Sequence, residues 1–178
     1  GIFFFSWMLD PQTAELILTP DGVVANIVFV EELVAAAPEI PGWKFTALKP
    51  ASDIQQTSIG MHGYEFSQKT LSFYLKDHEE YPDETDLVVV HDQYNEAQKA
   101  EFLQAVYIFL DNYLGEYDSI TKLDQVSLQF RQDAEKELMP IDRLKNILIL
   151  KNSEISRLDK ITRSSTDDDE YISLEGET

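Results

Sequence analysis

Asp86-Leu87-Val88-Val89-Val90-His91-Asp92, followed by the run from Asn95 to Leu114, decides the fold of this chain. Leu87 to Val90 are apolar on both alternating faces, the pattern of a central strand covered on each side. From about Asn95 the period changes. Phe102, Val106, Phe109, Leu110 and Tyr113 recur at helical spacing along one stripe, and Gly115 supplies a natural stop. The pair implies a sheet with a long amphipathic helix laid on it.

Upstream, Leu71 to Leu75 and Ile59 to Phe66 read as two strands turning around Ser67-Gln68-Lys69. Trp43 to Leu48 alternates as a strand ending at Pro50. Ile27, Val30, Val34 and Ala37 place a short helix before Pro38, with Asn26 as its N-cap. At the start of the chain, Phe3 to Leu9 and Ala14 to Thr19 form two strands around Pro11. Downstream, Val126 to Phe130 is a short strand. A last helix beginning near Pro140, a good first helical residue, carries Ile141, Leu144, Leu148 and Ile155. The order is that of an α+β fold, a mostly antiparallel mixed sheet with helices on one face and a ferredoxin-like flavour. One domain over residues 1–160 and an acidic flexible tail or linker over residues 161–178 complete the expected organisation.

Composition bounds the function. The chain of 178 residues is 43% hydrophobic, enough for a real core, yet carries 33 acidic against 14 basic side chains and a net charge of -19. Such a field repels phosphate backbones and anionic lipid, so neither nucleic acid nor a membrane surface is an expected partner, and a basic protein is. The absence of cysteine excludes disulfides, thiolate catalysis and cysteine-based metal sites, and fits a reducing, cytoplasmic location. No apolar stretch approaches the roughly 20 residues of a membrane span. The chain opens on Gly1-Ile2 in place of methionine, as a processed or trimmed sequence does.

No phosphate-binding glycine loop, nucleophile elbow or other catalytic signature occurs, and no cofactor is expected. The densest polar cluster is the acidic belt from Asp77 to Asp92. Its Glu79, Glu80, Asp83 and Glu84 form either a solvated loop or a docking surface for a basic partner. Its His78, Asp83, Asp86, His91 and Asp92 have the residue types of a cation site but match no established ligand spacing. His91-Asp92 also reads as a turn residue and helix cap, and His62 as a strand residue between apolar neighbours. Trp7, Trp43, Phe45 and Tyr64 read as core aromatics.

From Val30 to Pro50, a helix ending in Ala35-Ala36-Ala37-Pro38 runs into a Gly42-Trp43 strand. There, and again at Asp86 to Asp92 and Tyr107 to Asp118, the chain resembles a family of uncharacterised bacterial α+β proteins. That resemblance implies a fold and no activity. In acidity and in its helix-then-strand step the chain is also similar to small bacterial inhibitors of a messenger-RNA-degrading ribonuclease, which implies the ferredoxin-like expectation. Two functions are compatible with these residues: a non-catalytic interaction or regulatory module of bacterial origin using an acidic surface, or a metal-dependent hydrolase or cation-binding domain.

Overall fold

The computed structural model describes residues 1–78, 80–81 and 83–157. Glu79 and the tail expected beyond residue 161 lie outside them. The chain divides into two compact units, Gly1–Asp142 and Arg143–Thr178. Of the second, the described part is mainly a helix over residues 144–157, along which Leu144, Leu148 and Ile155 lie. A 3-10 turn, Ile141–Arg143, follows Pro140 and runs into that helix. Pro140 sits instead in a two-residue strand, Met139–Pro140, opposite Ser72. Such an edge position leaves its missing N–H facing away from the ladder.

The first unit is α+β, built on three sheets. The first contains β1 (Phe3–Asp10), β2 (Thr13–Thr19) and β3 (Trp43–Ala47), in that order. β1 and β2 are antiparallel, whereas β2 and β3 are parallel and joined through helix α1 (Ile27–Ala35). The second is a hairpin of β4 (Ser58–Met61) and β5 (Tyr64–Ser67). The third has the order β8-β7-β6-β9, from β6 (Leu71–Leu75), β7 (Asp86–His91), β8 (Gln125–Leu128) and β9 (Met139–Pro140). The ferredoxin-like arrangement is therefore not confirmed. The strands that would make one sheet are divided among three.

β7 is the interior strand its composition demanded: all six residues are buried between antiparallel β6 and parallel β8. Helix α2 (Lys99–Leu114) buries Phe102, Val106, Phe109, Leu110 and Tyr113, the whole stripe read from the sequence. A single turn of 3-10 helix precedes it, capped where Asn95 Oδ1 accepts from Ala97 N at 3.0 Å. Gly115 ends α2 with φ +85°, and a Cβ there would stand 3.0 Å from Ala51 N. Glycine is required on both counts. Helix α3 (Glu116–Thr121) follows at once.

Ile59 to Phe66, expected as one strand, is divided by a turn into the two strands of a hairpin. His62 and Gly63, at φ 51° and 84°, form the two-residue tip of the β4–β5 hairpin, since a right-twisted hairpin favours left-handed turn residues. His62 is thus a turn residue and not a strand residue.

Candidate docking surface

β1 has the sequence Phe3-Phe4-Phe5-Ser6-Trp7-Met8-Leu9-Asp10, with apolar side chains on both faces. That composition belongs to a strand buried from both sides. Yet among the described residues β1 is the outermost strand of its sheet, bonded to β2 alone, and only Phe5 is even partly buried. Phe4 is 73% exposed, Met8 63% and Trp7 49%. Trp43, on the opposite edge strand, is 45% exposed, so neither tryptophan is the core aromatic it resembled. Asp10 closes the strand locally: its Oδ1 accepts from the backbone N–H of Gln12 and Thr13 at 2.7 and 2.9 Å. The Gln12 bond above all holds its carboxyl below the ordinary range.

Register sorts the two faces. Phe4 and Met8 lie beside Leu18 and Ala14 of β2, which lie beside Ala47 and Trp43 of β3. On this side α1 covers Leu18 and Ala47 with Ile27 and Val30. Beyond the end of α1 a groove of ≈ 540 Å³ opens against Trp43 and Phe45, whose rings stack at 6.5 Å, walled by Val34, Ala37, Glu39 and Ile40. The outer side of α1 opens Val28, Phe29 and Leu33 to solvent, with Glu32 among them.

On the other face Phe5 and Trp7 meet edge to face at 6.3 Å, and Lys49 Nζ stands 5.7 Å from the Phe5 ring centre. Glu15 is buried among them. Trp7 Nε1 donates to its Oε2 at 2.8 Å, while Thr46 Oγ1 and Lys44 Nζ approach its Oε1 at 2.5 and 2.8 Å. The Lys44 hydrogen bond first, then that of Thr46, draw the carboxyl down to about 2, against the desolvation that would raise it. The sheet face is therefore apolar with one internally neutralised charge.

The belt residues do not converge. Among the described residues no group of three or more histidine and carboxylate side chains could hold a metal ion. His78 comes closest to one, with Nε2 3.3 Å from Asp86 Oδ2 and Nδ1 4.0 Å from Glu84 Oε2. His91 is turned into the core, packed on Phe66 and Phe102, with Nε2 2.9 Å from the Glu65 carbonyl and Nδ1 accepting from Gln93 N. The accepted bond fixes the neutral tautomer with its proton on Nε2. Asp92 pairs with Arg131 on the surface, and Glu80 and Asp83 are exposed.

A second acidic group, unread in the sequence, forms where α2 and α3 meet. Glu116 is buried at the start of α3, accepting from Thr19 Oγ1 and, at 3.0 Å, from Lys49 N. Asp111 beside it is held above the ordinary carboxylate range by burial, which the Ser119 hydroxyl partly opposes. Glu116 ties the ends of β2 and β3 to a helix start, where a carboxylate is favoured. Its signal was only that of a helix N-terminal acid, spread over almost a hundred residues of sequence.

Compared with family models, with characterised proteins and with solved structures, the chain matches none. The resemblance noted at residues 30–50, 86–92 and 107–118 thus has no support from these comparisons.

Proposed function

We propose that the chain is a non-catalytic protein-interaction module whose contact surface is the exposed β1 rim, extended by the outer side of α1. One observation carries the reading: β1 has the composition of a buried strand and the exposure of an edge. An unpaired apolar strand is a template for another strand, which brings main-chain hydrogen bonds and apolar contact together. The acidic remainder of the molecule, including Glu80, Asp83 and Glu84, repels nucleic acid and anionic lipid and hastens the approach of a protein of opposite charge. The test is to pan a random peptide library against the wild type and against Phe4→Lys/Met8→Lys, which alters two exposed positions and should fold normally. Extended apolar peptides that bind only the wild type are expected. Equal recovery on both proteins, or none on a wild type that is monomeric, would refute the reading.

A cation-binding alternative draws on one observation. Among the described residues, Nε2 of His78 and Oδ1 of Asp86 are buried and find no hydrogen-bond partner, and buried polar atoms are normally satisfied. A divalent ion there would have these two protein ligands, with Glu84 adjacent. A metal series in thermal unfolding tests it, because an ion bound to the folded state raises the melting temperature by mass action. No rise with zinc, magnesium or calcium would dispose of it.

A further inference from the structure

Edge strands are normally blunted by lysine, proline, a bulge or an inward charge, because otherwise they pair with other chains. β1 has none of these from Phe3 to Met8; its one irregularity falls between Met8 and Asp10, where the strand ends. We propose that β1 is the seam of a homodimer, in which it pairs antiparallel with the same strand of a second copy and joins two three-stranded sheets into one of six. The inference rests on β1 being the docking surface and names its occupant.

The sequence of β1 is self-complementary under a two-fold axis. Pairing centred on Ser6 sets Phe4 opposite Met8, Phe5 opposite Trp7 and Phe3 opposite Leu9, each twice by symmetry. Ser6, small and exposed, meets its own copy at the axis. Every other pair is apolar on apolar, and aromatic cross-strand pairs of this kind stabilise sheets. Asp10, the only charge of the strand, falls opposite Ile2, so no carboxylate faces another.

Along β1 itself charge allows this occupant, although the net charge of the two copies opposes their approach elsewhere. A chain of net charge -19 can approach its copy only where carboxylates are absent. Phe3 to Leu9 carries none, and in the next strand Glu15 is already matched by Lys44 and the Trp7 N–H. A lysine-rich strand laid on β1 would find no acidic partner along most of its length. Ile2, Phe3, Phe4, Trp7, Met8 and Leu9 are each between 38% and 73% exposed. With on the order of 100 Å² open on each, pairing can remove at most roughly 1,200 Å² in all, the lower end of stable interfaces.

The absence of native cysteine makes a clean probe. Directly opposed residues of antiparallel strands have Cα atoms about 4.5 or 5.5 Å apart, within disulfide reach. Ser6→Cys should therefore cross-link two full-length chains on mild oxidation, whereas Gln55→Cys, exposed in a loop, should not. Sedimentation equilibrium should give a dimer for the wild type and a monomer for Phe4→Lys/Met8→Lys. A dimer surviving those lysines, or equal cross-linking at both cysteines, would overturn the proposal. A monomeric wild type that still binds library peptides on β1 would remove the second copy and keep the docking surface. A monomeric wild type with no such peptide would remove both.

Discussion

Trp7 and Glu15 stand opposite one another across the β1–β2 pair, and the indole N–H reaches the carboxylate at 2.8 Å. An exposed edge tryptophan is thereby fixed by a buried acid one strand inward. Because the Glu15 carboxyl lies at about 2 in place of 4.5, its contribution to stability is complete above roughly pH 5 and is lost as the pH falls through its folded value. Glu15→Gln should cost about 2 to 3 kcal/mol at neutral pH. The gap between variant and wild type in urea unfolding should narrow steadily towards pH 2. A gap independent of pH would show that the charge is not what stabilises the site.

Phe109 is fully buried on α2. Phe109→Ala should lower the unfolding free energy by about 3 to 5 kcal/mol, through lost transfer energy and a residual cavity. A loss below about 1 kcal/mol in denaturant titration would mean that α2 does not pack as described.

Gly115→Ala places a methyl group 3.0 Å from Ala51 N at φ +85°. The strained backbone should cost about 1 to 3 kcal/mol. Gly63→Ala, also left-handed but with open space around its Cβ position, should cost less. Equal melting temperatures for the two variants would argue against the close approach of residue 51 to the helix end.

The elements governed by local periodicity were legible. The two-faced apolar pattern of Leu87 to Val90 and the stripe of α2 each admit one reading, because the residues meet neighbours whose nature the spacing implies. Sheet membership was not legible. Nothing in Trp43 to Ala47 says that it pairs parallel to β2 and not with β6, so a single sheet was expected where three form. His62 was misplaced because only its partner Gly63 advertised a left-handed turn, and Pro140 because a proline suits a first helical residue and an edge strand equally. The candidate cation residues separate for a related reason. His91 and Asp92 are adjacent in sequence, but His91 ends β7 inside the core whereas Asp92 lies in the turn beyond it and pairs with Arg131. Most tellingly, β1 reads as a core strand; its apolar content is visible in sequence, whereas the missing neighbour is visible only in the fold.

The most direct measurement is amide hydrogen exchange on the wild type, diluted until sedimentation shows a monomer, with and without a peptide selected by panning. If β1 is the docking surface, the peptide should slow exchange across Phe3 to Leu9 and leave the belt from Asp77 to Asp92 unchanged. Protection confined to the belt, with β1 exchanging as fast as in the free protein, would contradict the account.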